Sequence, residues 1–331
     1  MSSEAFGTTP WGDAVRRVTI AGGGLTAAVL TYGAVLQDLR LDGHAPPLVL
    51  GFERIEHYLH HSVFFGAIVG RYANRIAHGR YRIDGRDYQA DRNDRGNTLH
   101  GGRHGIDRQN WTLGDHGADF ATLTLTDPAD ISGFPGNLSI TCTYRLRDSE
   151  MRVELSARTD VPTLCNLAHH SWFNLDDGGS GDIARHVLTI DAESYLPVDE
   201  AGIPTGELRP VDGTPFDFRR PRRIGQAALY DHNFCLAGSR RALTRAARLE
   251  GARSGIAMEV RTTEPGLQFF GGDIPPRSVP GLGGRRYGRS AGLCLEPQIW
   301  PDAPNHAHFP QALLRPGDTY RQVSIYRFSK Y

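Results

Sequence analysis

The sequence predicts an all-β protein, a large antiparallel β-sandwich. Three observations carry this. Short runs alternate apolar and polar residues with a period of two. Gly, Asp and Asn turns separate them. No long helical period intervenes, which points to antiparallel pairing rather than to crossover helices.

The elements follow in order. Val15 to Ile20 and Thr26 to Leu41 read as early strands. Arg80 to Tyr88 is a hairpin, with an Asp84-Gly85 turn between alternating residues. Ala121 to Thr126, Leu138 to Leu146 and Met151 to Thr159 form a meander. Thr163 to Leu167, His186 to Ile190, Ala257 to Arg261, Leu267 to Phe270 and Gln322 to Phe328 continue it. Arg240 to Leu249 has a helix-friendly composition. Its second half is assigned to strand because it feeds another alternating run. Near twenty strands are too many for a small sandwich, so extended twisted sheets are expected. With no repeat or linker, residues 1–331 are expected to form one domain, its core about 15–328.

Composition narrows the function. The chain has 331 residues and a formal net charge of zero, so neither nucleic acid nor an anionic membrane is indicated as partner. Basic charge is almost wholly Arg; the only lysine is Lys330, which argues against a catalytic or phosphate-binding lysine. Cys142, Cys165, Cys235 and Cys294 lie far apart in apolar stretches, as free thiols of a reducing cytoplasm would. The start, Met1 to Gly7, has neither a basic nor an apolar run, so no signal peptide is expected, and no apolar run is long enough to span a membrane.

Two segments suggest acid–base chemistry. Gly292-Leu-Cys-Leu-Glu-Pro-Gln-Ile-Trp-Pro-Asp-Ala-Pro-Asn305 sets Glu296 at the end of a strand before a proline-stiffened turn. A general base needs such stiffness, because its reach to the proton is tightly constrained. Asn166-Leu-Ala-His-His-Ser-Trp-Phe-Asn-Leu175 supplies His169 and His170 beside Trp172. Neither carries the tight spacing of a His-Glu-x-x-His or paired Cys-x-x-Cys metal motif, so no metal is expected. Asn74 and Arg75, His100 before a Gly pair, Asp231, and Gln268 beyond a Pro-Gly turn add polar groups near tight turns. From these residues alone a glycoside hydrolase using Glu296 with Asp231 and a non-catalytic sugar-binding module stay open.

Taken in order, six motifs resemble the aldose 1-epimerase family, also called galactose mutarotases. They are Gly70-Arg-Tyr-Ala-Asn-Arg-Ile76, Leu99-His-Gly-Gly102, Asn166 to Leu175, Asp231-His-Asn-Phe234, Thr263-Glu-Pro-Gly-Leu-Gln268 and Leu295 to Asn305. The resemblance runs from about Val15 to Phe328. It implies a supersandwich fold and interconversion of the α and β anomers of free aldoses such as galactose or glucose, without a cofactor. It also implies Glu296 as base, His170 as acid, and Asn74, Arg75, His100, Asp231 and Gln268 as sugar ligands. Trp172 is expected to contact the sugar as well, and a monomer or homodimer is expected. The chain departs from the family pattern at His169, Trp172, Pro297 and Trp300. Trp172 and Trp300 are expected as bulky walls near the sugar. Carboxylates close to His170 are expected to raise its pKa.

Overall fold

The computed structural model describes residues 2–225, 229–273 and 276–331. It holds 27 strands and one α-helix, Ile55–His61, among the described residues. Among the described residues all ladders are antiparallel apart from an isolated parallel bridge between Tyr72 and Asn166.

The largest sheet has nine strands. Its centre is the meander Phe120–Asp127, Leu138–Arg147 and Glu150–Thr159, which Tyr320–Lys330 joins to Ile256–Thr262 and Thr244–Glu250. Alternation shapes this sheet. Leu138, Ile140, Cys142, Tyr144 and Leu146 are buried while their neighbours are partly or fully exposed; across the ladder Met151, Val153, Leu155 and Ala157 do the same. Their apolar faces meet a second, six-stranded sheet built on Leu293–Gln298, Gly266–Phe270 and Asp231–Cys235. Leu267, Phe269, Leu293 and Leu295 from that sheet share one core with Tyr144, Leu155, Val260 and Tyr326. This is a sandwich, as expected.

A four-stranded sheet, Ser2–Thr8, Ala14–Gly22, Leu25–Leu30 and Leu36–Leu41, packs beside them. Here the expected single strand Thr26 to Leu41 is two strands. Gly33 and Ala34, at φ 63° and 47°, turn the chain between them. The Asp84-Gly85 hairpin forms as read, with both turn residues at positive φ and Arg80–Ile83 paired to Arg86–Gln89. Thr244–Glu250 is a strand, so the second half of Arg240 to Leu249 follows its neighbours. The strand Ser2–Thr8 and the helix Ile55–His61 went unanticipated. No helix is long and apolar enough to cross a membrane among the described residues.

Leu293–Gln298 explains where the site lies. Every residue on it is buried. Leu293 and Leu295 face the core between the sheets, so Cys294, Glu296 and Gln298 face the opposite side.

Candidate active site

Cross-strand register aligns the polar groups on that opposite side. Glu296 pairs with Gln268, and Gln268 pairs with Asn233. One step along, Trp172 pairs with Cys294, Cys294 with Phe270, and Phe270 with Asp231. Residues opposite one another share a face, so two rows of side chains stand over the six-stranded sheet.

Two other pairs of strands close over these rows. Ala168–His170 pairs with Ala67–Val69 and brings in His170. Arg75–Ile76 pairs with Thr98–Leu99 and brings in Asn74, Arg75 and His100. Asn74 and His100 both lie at positive φ, 61° and 50°. They hold each other: the His100 backbone N–H donates to the Asn74 carbonyl at 2.9 Å, and the Asn74 N–H donates to His100 Nδ1 at 3.1 Å. Gly101 is required here. A Cβ on it would stand 2.0 Å from the Gly70 carbonyl oxygen.

The result is a cavity of about 170 Å³ lined by Asn74, Arg75, His100, His170, Trp172, Asp231 and Glu296, with apolar cover from Val63, Phe64, Leu99 and Phe270. A larger hollow of about 390 Å³ beside Asp182, Tyr230 and Asp273 pairs Asp273 with Arg289 and has no histidine among its described lining residues. Seven of the eight expected residues thus meet in one cavity. Gln268 stands behind the lining, where its Nε2 donates to Asp231 Oδ1 at 2.7 Å. Arg75 holds the other Asp231 oxygen at 3.4 Å and Asp94 at 2.9 Å. Trp300 departs from expectation. It packs on Phe309 in a separate cluster and donates its indole N–H to the Pro265 carbonyl, so it is no wall of this cavity. Trp172 is such a wall, its ring stacked beside His170.

His170 Nε2 faces Glu296 Oε2 at 3.6 Å, and both side chains are buried. Glu296 Oε2 has no hydrogen-bond partner among the described residues. Burial, and then the charge of Asp231, push its carboxyl well above the usual range, against a smaller opposing pull from Arg75. Burial pushes His170 down to about 4, outweighing the help of its own carbonyl and of Asp231. The expected rise in the His170 pKa is therefore corrected. Being buried costs the imidazolium more than the nearby carboxylate returns. Burial thus works against the ionised form of both partners, the carboxylate and the imidazolium, and the two titrate as a coupled pair.

His100 is held neutral. Burial, then His170 and Arg75, drive it well below its ordinary value. Its nitrogens, those of His170 and a Glu296 oxygen lie close enough to suggest a metal triad. Tautomer chemistry opposes this. Nδ1 accepts the Asn74 N–H, so Nε2 carries the ring hydrogen and acts as a donor into the cavity. A ligand must instead offer a lone pair.

His169 points the other way, as neighbours on a strand do. Its Nε2 meets Ser171 Oγ at 2.8 Å, its Nδ1 meets the Tyr326 hydroxyl at 3.3 Å, and burial holds it near 3. Phe64, Phe270 and Asp94 were not singled out from the sequence. Phe270 follows Gln268 by two on one strand, so alternation offered that signal. Phe64 lies in a loop at φ 61°, and Asp94 beside a turn; neither carries a periodic signal.

The family model for aldose 1-epimerase matches residues 16–327. The chain is 40% identical to a galactose mutarotase of Rattus norvegicus, over 98% of this chain and 97% of that one. It is 36% identical to an aldose 1-epimerase of Escherichia coli, over 99% of each. A crystal structure of an aldose epimerase homologue from C. elegans superposes with a TM-score of 0.89 at 32% identity, covering 95% of this chain and 98% of the other. A galactose 1-epimerase from Lactobacillus acidophilus gives a TM-score of 0.86 at 28% identity, over 99% and 98%. On the family match along nearly its whole length, together with these relatives, the chain belongs to the aldose 1-epimerase family.

Proposed function

We propose that this cavity interconverts the α and β anomers of free aldopyranoses, galactose and glucose among them, with Glu296 as base and His170 as acid. The observation that carries the reading is the buried His170–Glu296 pair, face to face at 3.6 Å. Ring opening needs two proton transfers. A base takes the proton of the anomeric hydroxyl while an acid protonates the ring oxygen. The C1–O5 bond breaks and leaves an acyclic aldehyde. Rotation about C1–C2 presents the other carbonyl face, and closure returns both protons.

A pair holding one proton suits this cycle. In its ionic form, Glu296 as carboxylate and His170 as imidazolium, each group becomes its partner form on opening and is restored on closure. Arg75, Asp231, Asn74 and the His100 Nε2–H are the hydroxyl ligands, and they keep the rest of the sugar fixed while C1 turns. Gln268 serves by orienting Asp231. Trp172 and Phe270, at right angles with ring centroids 5.2 Å apart, offer apolar surface to sugar C–H groups. A glycosidase would need a second carboxyl free to act as acid or nucleophile. Both Asp231 oxygens are already engaged by Gln268 and Arg75.

All of these side chains come from one chain, so the reading requires no second copy. Residues 1–331 act as one catalytic unit in this reading, since the nine-stranded sheet joins strands from the middle and the end of the sequence. Four free cysteines support a cytoplasmic location, which cell fractionation tests. The activity test is polarimetry of freshly dissolved α-galactose and α-glucose. Accelerated equilibration, unchanged by a chelator, is expected. No acceleration with any aldose overturns the assignment. Activity lost to a chelator and restored by zinc overturns its metal-free part.

A further inference from the structure

The two ring nitrogens of His170 face two side chains of one strand. Nε2 faces Glu296, and Nδ1 lies 3.5 Å from Cys294 Sγ. Cys294 and Glu296 are two residues apart on Leu293–Gln298 and so share a face. The thiol is fully buried, beneath the ring that does the chemistry. We propose that Cys294 is a positioning residue for His170, its Sγ accepting the Nδ1–H hydrogen bond so that Nε2 alone exchanges protons with the sugar.

The chemistry of the acid fixes the polarity. An imidazolium that releases its Nε2 proton is left neutral with its hydrogen on Nδ1. That hydrogen needs an acceptor throughout the cycle, and Sγ is the side-chain atom there. Were the thiol the donor instead, the neutral ring would carry its hydrogen on Nε2. It would then have to pass through an imidazolate to act as an acid.

Sulfur is also a poor acceptor. A carboxylate at Nδ1 would stabilise the imidazolium and make a better base, as in hydrolytic triads. A thiol gives the ring orientation with little stabilisation of its charge, so the imidazolium gives up its proton readily. The other groups around the ring are Glu296, Asp231, His100 and Arg75. Burial, with Glu296 and Asp231, holds the Cys294 thiol well above its ordinary value, so it stays uncharged.

The inference rests on His170 being the acid, and one measurement separates the two. Histidine ¹⁵N NMR on the full chain, with His170 assigned by difference against His170→Asn, reads the tautomer directly. The neutral His170 ring is expected to carry its hydrogen on Nδ1. A hydrogen on Nε2 overturns the role of Cys294 whatever the activity, while a chain without anomerase activity would remove the acid assignment instead. Kinetics then sharpen the result. Cys294→Ala is expected to lower kcat about tenfold with KM little changed, well short of the loss on removing the acid itself. Cys294→Ser offers a stronger acceptor and is expected to move the acid limb of kcat/KM upward by roughly half a pH unit or more. If both variants keep the parent rate, pH limbs and ¹⁵N shifts, Cys294 is only packing.

Discussion

His169 and His170 are neighbours with nearly the same burial and the same direction of pKa shift, yet they differ in what stands opposite them. His169 faces inward to Ser171 and the Tyr326 hydroxyl, and both its nitrogens have neutral partners. His170 faces a cavity and a carboxylate whose Oε2 no group among the described residues satisfies. Burial alone therefore does not mark a catalytic residue. A buried polar group left without a partner costs stability, and that cost is tolerated where the missing partner is a substrate.

The comparison breaks most sharply at the pair itself. Glu296→Gln and His170→Asn are each expected to lower kcat by about 10²–10⁴-fold with the fold intact, since each keeps size and removes proton exchange. Full kcat in Glu296→Gln would mean that another group is the base. The same substitution is expected to stabilise the free protein by about 1–2 kcal/mol at neutral pH. Burial raises the folded-state pKa of Glu296. Its stability contribution is thus complete below the unfolded value and is lost as pH rises through the folded one. Gln removes that loss. Equal or lower melting temperature in the variant would contradict the account.

Next in size is the pH profile. Below about 4 His170 gains a second proton for the pair and the base is lost. On the alkaline side the last proton leaves a carboxyl held well above its usual range, and the acid is lost. After correction for spontaneous mutarotation, kcat/KM is expected to hold across neutral pH and to fall about tenfold per unit below the acid limb. A limb at an ordinary histidine value, about 6.5, would show that burial does not dominate.

Asp231→Asn comes third. It keeps shape but weakens the hold on Arg75 and on sugar hydroxyls, so KM should rise and kcat should fall, by about tenfold combined. A change in kcat alone would assign Asp231 a chemical role. The smallest effect belongs to the control residue. His169→Asn should change kcat by less than about threefold while lowering stability by roughly 1–3 kcal/mol, the cost of an unpaired buried group. Loss of activity without loss of stability would erase the distinction between the two histidines.

Much of this arrangement was readable beforehand. Alternation in Leu138–Arg147 and Glu150–Thr159 gives the sandwich directly, because one face of each strand must be apolar. Thr26 to Leu41 misled because apolar residues continue through the turn at Gly33-Ala34, which is itself buried. The site residues were found through ordered motifs, since no spacing rule links His170 to Glu296; a sheet and its register bring them together. The direction of the His170 shift was not readable. Neighbouring charges can be counted in a sequence, but the depth of burial that outweighs them depends on the packed sheets.

The position of the one lysine has a consequence for an enzyme whose intermediate is an open-chain sugar. Lys330 lies at the exposed end of Tyr320–Lys330, near Gly43, while the cavity is lined by Arg, Asn, His, Asp and Glu with no primary amine. An aldehyde freed at C1 meets guanidinium, amide and imidazole groups, none of which condenses readily with it. The catalyst is thereby shielded from glycation by its own intermediate. Mass spectrometry after long incubation with sugar should find adducts at Lys330 or the chain's amino terminus, and none in the cavity.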